Sequence, residues 1–230
     1  MPAWIWEQQL EHFATTHRVV ALDPRGQGRS EKPTHGYHPT RRAGDICELL
    51  GNLGGEPAVV VGWSLAVQEI LLCAHEVGTE AIRAAVLVDY EIVWENTEEL
   101  TPWFISLQTE REDWTRMFVE SLHRNPSEEY LNSLTQAALS TPTNAAAMML
   151  ANLILMGPTD LRPAVDGLGF PVLFVYSSLD WAVAAAEEVR RAWPDVAVEV
   201  IEETSHALFV DRPDEFNRVL DEFLATLPKE

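Results

Sequence analysis

The sequence predicts an α/β protein, a mostly parallel sheet flanked by helices with a helical insertion in its middle third. Three observations carry this. The β-branched run Ala58 to Val61 passes without a spacer into the helical spacing of Leu65, Ile70, Leu71 and Ala74. Strand-like and helix-like stretches alternate on either side of it, which implies parallel strands joined by helical crossovers. Between residues 91 and 165 that rhythm stops and no β-branched run appears. The expected organisation is a core of residues 1–90 and 166–230 with residues 91–165 as a helical insertion.

In chain order, Trp4, Ile5, Leu10, Phe13 and Ala14 mark a short helix over Trp4 to Thr15, and Arg18 to Leu22 reads as a strand. The string Asp23-Pro24-Arg25-Gly26-Gln27-Gly28 follows, its glycines suited to a tight reversal. A dinucleotide-binding fingerprint is excluded, because the third glycine and an immediately following helix are missing. A helix over Thr40 to Leu53 is closed by Gly54-Gly55, and the helix after Ser64 ends near Gly78. Ile82 to Val88 is the next strand, ending at Asp89.

After the insertion, which holds Trp94, Trp103, Trp114, Phe118 and Tyr130, the sheet resumes at Phe170 to Tyr176. A helix over Ala182 to Trp193 leads to a last strand over Val196 to Ile201. Asp211 is expected to cap a final helix with Pro213 in its first turn.

The 230 residues suffice for one domain with a substantial core. A net charge of −20 repels nucleic acid and anionic membrane surfaces, so neither is an expected partner. Cys47 and Cys73 lie singly in helical segments and are expected to be buried free thiols. With no basic and apolar leader recognisable, a reduced, cytoplasmic setting is the expectation. His35 and His38 have no third ligand beside them, so neither a metal nor another cofactor is expected.

Chemistry centres on Gly62-Trp63-Ser64-Leu65-Ala66. A strand that becomes a helix within one residue strains the corner residue, and its neighbours two positions away must be small. Ser64 sits at that corner, flanked by Gly62 and Ala66, and the Leu65 N–H opens the helix where an oxyanion would form. A plain tight turn is the alternative reading of the same string.

This stretch resembles the nucleophile elbow of the α/β-hydrolase family, with Ala66 in place of the usual second glycine. VVALDPRGQGRSEKP, VLFVYSSLDWAV and EETSHALFVDRPDEF resemble that family's loop after the fourth strand, its acid loop and its histidine loop, in non-haem haloperoxidase or perhydrolase style. The resemblance implies a catalytic triad of Ser64, Asp180 and His206 in the family's order, with Leu65 as an oxyanion donor. Asp89, which also ends a strand, is the alternate acid. It further implies a lid over residues 91–165, with Trp63, Trp94, Trp103 and Trp181 lining a substrate pocket. Family members carry extra strands and a His-Gly loop ahead of the Trp4 to Thr15 helix, the loop supplying a second oxyanion donor. Met1 falls after them, so an open sheet edge and a homodimer formed through it are expected, which a light-scattering mass would test.

The function so implied is hydrolysis of an ester, thioester or lactone of a small, largely apolar substrate through an acyl-enzyme. The alternative is a non-catalytic ligand-binding protein on a degenerate hydrolase fold.

Overall fold

The computed structural model describes residues 1–54, 56–77 and 80–228. Its central feature is a four-stranded, wholly parallel sheet in the order β1 (Ala58–Trp63), β2 (Ile82–Val88), β5 (Val172–Ser177), β6 (Ala197–Ile201). β2 shows why: Ala84, Val86 and Val88 point into one apolar layer while Ala85 and Leu87 point into the other, and all five are at most 1% exposed. A strand with both faces covered loses the polar alternation of a half-exposed one.

One layer is filled by α1 (Glu7–Phe13), α10 (Leu208–Asp211) and α11 (Pro213–Thr226), through Phe13, Phe209, Phe216 and Leu220. The other holds α2 (Pro39–Leu53), α3 (Leu65–Val77) and α9 (Asp180–Ala192), through Leu50, Ile70, Leu71, Ala186 and Val189. A one-turn 3-10 segment, Ala3–Trp6, precedes α1 and stacks Trp6 on Phe209.

Between β2 and β5 the chain forms α4 (Thr101–Thr109), α5 (Arg111–Ser121), α6 (Glu128–Leu139), α7 (Thr143–Met156) and α8 (Arg162–Asp166). This segment is not purely helical: β3 (Val93–Trp94) and β4 (Thr159–Asp160) pair antiparallel across its base. Two residues on each side are too few to leave a period in the sequence. Trp114 stacks on Phe118 at 5.0 Å and packs with Leu107, so part of the aromatic content forms the insertion's own core.

Three expectations are corrected. Arg18 to Leu22 is not a strand. It makes no backbone–backbone hydrogen bond among the described residues, leaving Val20 48% and Leu22 39% exposed. β-branched composition favours extended backbone, but a strand needs a neighbour. β1 accordingly lies at the sheet's edge, with Val61 36% exposed. Cys47 and Cys73 are not free thiols: their Cα atoms are 5.7 Å apart and they form a disulfide joining α2 to α3. Asp211 does not cap α11, whose N-cap is Arg212. Asp180 is the first residue of α9 and makes no side-chain capping bond. The predicted end of α3 near Gly78 lies outside the described residues.

His38 acts as the N-cap of α2, its Nδ1 accepting the Arg41 N–H at 3.2 Å. Gly28, at φ +50°, lies so close to the Asp23 carboxylate that a Cβ there would collide with it. Asp23 in turn accepts the Arg29 N–H at 3.0 Å, closing the predicted reversal.

Candidate active site

Ser64 occupies the corner between β1 and α3 at φ +56°, a left-handed conformation rare for a residue with a side chain. Two ladder-like bonds hold the strain: Ser64 N–H donates to the Val88 carbonyl and Val67 N–H to the Ser64 carbonyl, both at 2.9 Å. The small-residue requirement is visible at Gly62, where a Cβ would strike Ile70 Cδ1 and press on the Ala66 backbone 3.1 Å away. Leu65 begins α3, at its positive end.

His206 follows β6 in a short turn. Its Nδ1 lies 2.8 Å from Asp89 Oδ2, not beside Asp180, which is exposed. The expected carboxylate partner of His206, Asp180, is therefore corrected to Asp89. Asp89 directly follows β2, has φ +51° and is fully buried, its N–H donating to the Val175 carbonyl at 2.9 Å. Its Oδ1 accepts the Ser177 N–H at 2.7 Å and its Oδ2 accepts the Ser177 hydroxyl at 3.0 Å. Asp180 comes three residues beyond the end of β5, where the chain has already turned into α9 and out to solvent. Ser177, missed in the sequence, is thus the residue that anchors the carboxylate. An Asp–Ser pair at the ends of adjacent strands was its only signal.

The Asp89 charge also bears on the neighbouring Tyr176, whose phenol is held well above the ordinary tyrosine range, first by burial and then by Asp89. Tyr176 donates its hydroxyl proton to the Tyr90 carbonyl at 3.2 Å, which fixes the residue after the acid.

Ser64, Leu65, Asp89 and His206 line one cavity of about 1440 Å³. That exceeds the ~300–1,000 Å³ of an ordinary ligand pocket, because the space continues along the uncovered flank of β1 toward Arg18 to Leu22. All four expected pocket tryptophans line it. Trp63 and Trp181 sit against the His206 ring, with centroids 5.0 and 5.8 Å away. Trp94 packs edge-on to Tyr90 at 6.3 Å, and Trp103 edge-on to Trp114 at the same distance. Trp63 has a second task, since its indole N–H donates to the His206 carbonyl at 2.8 Å.

The cavity also holds two charged groups that the sequence did not single out. Arg42 and Glu69 form an ion pair at 2.7 Å with both side chains 7% exposed. Burial pushes the Glu69 carboxyl upward, and Arg42 opposes it. Glu91 is displaced in the same direction, by burial first and then by the charges of Glu99 and Glu188. No group of three or more metal-ligating side chains is assembled among the described residues.

The family profile described as "Alpha/beta hydrolase family" matches residues 1–219. The pimeloyl-[acyl-carrier protein] methyl ester esterase of Aliivibrio salmonicida is 25% identical over 245 aligned positions, covering 96% of this chain and 87% of that protein. Among solved structures, the esterase EaEST from Exiguobacterium antarcticum superposes with a TM-score of 0.85 at 20% identity, covering 98% of this chain and 88% of that one. A bromoperoxidase from Bacillus anthracis gives 0.86 at 19% identity, with the same coverage. At these identities the solved structures establish the fold. The profile match over nearly the whole chain establishes the family, and this protein is a member of the α/β-hydrolase family.

Proposed function

We propose that the protein is a serine esterase for small, largely apolar esters, thioesters or lactones, with Ser64 as nucleophile, His206 as base and Asp89 as the carboxylate that orients it. The single observation that carries this reading is the His206–Asp89 hydrogen bond of 2.8 Å in the lining of a cavity that the strained Ser64 corner also lines. A serine hydroxyl is a poor nucleophile at neutral pH, and an imidazole held in one tautomer by a buried carboxylate is the base that activates it. With Asp89 accepting at Nδ1, the other ring nitrogen, Nε2, is left to take the hydroxyl proton as Ser64 attacks the acyl carbon, and to return it to the leaving group. The Leu65 N–H at the start of α3 stabilises the oxyanion. Water then repeats the cycle on the acyl-enzyme, so the atoms balance as ester plus water giving acid plus alcohol. The esterases among the relatives support the bond class, and the tryptophan lining supports an apolar acyl or alcohol part.

The test is p-nitrophenyl acetate and butyrate hydrolysis beside Ser64→Ala and His206→Ala, with mass spectrometry after fluorophosphonate treatment. Turnover falling by at least about 10³-fold in both variants, with one label on Ser64, is the expected result. A folded protein with neither turnover nor label contradicts it and favours the non-catalytic binding reading.

A further inference from the structure

Asp211, freed from the capping role its sequence position suggests, points back beneath the turn that carries His206. Its Oδ2 accepts the Ser205 N–H at 2.7 Å, and both its oxygens lie 3.1 Å from the Arg124 N–H. His123 Nδ1 is 3.7 Å from Oδ1, and the Asp211 side chain is only 7% exposed. Two further bonds run alongside. The Ser205 hydroxyl donates to the Ser121 carbonyl at 2.9 Å, and the Ala207 N–H donates to the Leu122 carbonyl at 2.7 Å. The residues on either side of His206 are therefore strapped to the end of α5 in the helical insertion, and one buried carboxylate joins the two segments.

We propose that Asp211 is a positioning residue, acting through Ser205 and Arg124 to hold the His206 turn against the insertion and so set where the His206 ring stands in the cavity. This rests on Ser64 and His206 being the catalytic pair. Asp211 does not line the cavity, so it acts on the geometry of the base and not on substrate binding. Without its oxygens the N–H of the buried Ser205 loses its acceptor and the link to the Arg124 N–H is cut, so the turn shifts to re-satisfy the Ser205 N–H. A displacement near 1 Å of a catalytic group costs roughly 10²-fold in rate.

The experiment compares wild type, Asp211→Ala and Asp211→Asn in p-nitrophenyl butyrate hydrolysis, with circular dichroism and thermal melting to establish folding. Asp211→Ala is expected to lower kcat by about 10- to 100-fold with KM within about threefold. Asp211→Asn, which keeps a side-chain oxygen to accept one N–H, is expected to recover most of the loss. A folded Asp211→Ala with unchanged kcat, a loss carried by KM alone, or a kcat loss that Asn does not relieve would each overturn the proposal. Should Asp211→Ala fail to fold, Asp211→Ser takes its place, with a hydroxyl too short to bridge both the Ser205 and the Arg124 N–H. Its kcat is then expected to fall several-fold at constant KM, and an unchanged kcat overturns the proposal. Absence of turnover and of Ser64 labelling in wild type would instead bring down the catalytic reading, and this proposal with it.

Discussion

At the scale of single residues, two aspartates at the ends of neighbouring strands have opposite fates. Asp89 follows β2 and Asp180 lies just past β5, and because Val88 pairs with Val175 the two strand ends lie side by side. Either choice preserves the chain order Ser, Asp, His, so order and local motif leave both open. The left-handed backbone at Asp89 and the Ser177 anchor turn one carboxylate inward, while the start of α9 carries the other into solvent. Two residues on, Glu91 makes no ion pair among the described residues, and its pKa in the folded state lies above the ordinary value of 4.5. A carboxyl raised in this way binds more protons folded than unfolded, so its contribution favours folding below about 4.5 and is lost as pH rises through the folded value. Glu91→Gln removes that loss. The gain in melting temperature of the variant over wild type is expected to be larger at pH 8 than at pH 4, and an equal difference at both pH values contradicts the assignment.

At the scale of elements, the strand read most closely was the one buried on both faces. The reading of Ile82 to Val88 coincides with β2 at both ends because six of its seven residues, all but Arg83, are buried in one or other apolar layer. The reading of Arg18 to Leu22 failed although its composition is similar, because backbone pairing depends on a partner that a local window does not contain. The Cys47–Cys73 bond was hidden for the same reason, since α2 and α3 meet only in the fold. A 26-residue closure of this kind stabilises by about 3 kcal/mol, chiefly by restricting the unfolded chain. Cys47→Ser/Cys73→Ser is expected to lower the unfolding free energy by that order in urea titration. Two titratable thiols in the denatured, unreduced protein would contradict the pairing.

At the scale of the whole molecule, the parallel sheet brings residues far apart in sequence to one edge, the carboxyl ends of its strands. Ser64 follows β1, Asp89 and Ser177 lie at the ends of β2 and β5, and His206 lies beyond β6. That convergence was legible from alternating strands and helices alone, and so were the corner that carries Ser64 and the turn that carries His206, because the small residues around Ser64 and the histidine string are local features. The carboxylate beside His206 was not, because its orientation is set by contacts between strands. The measurement that bears most directly on the account is therefore kcat/KM for p-nitrophenyl butyrate in Asp89→Asn and Asp180→Asn. Asp89→Asn is expected to lose about 10³-fold or more, since the amide no longer holds the reactive tautomer of His206, while Asp180→Asn stays within about twofold of wild type. The reverse pattern would contradict Asp89 as the partner of His206.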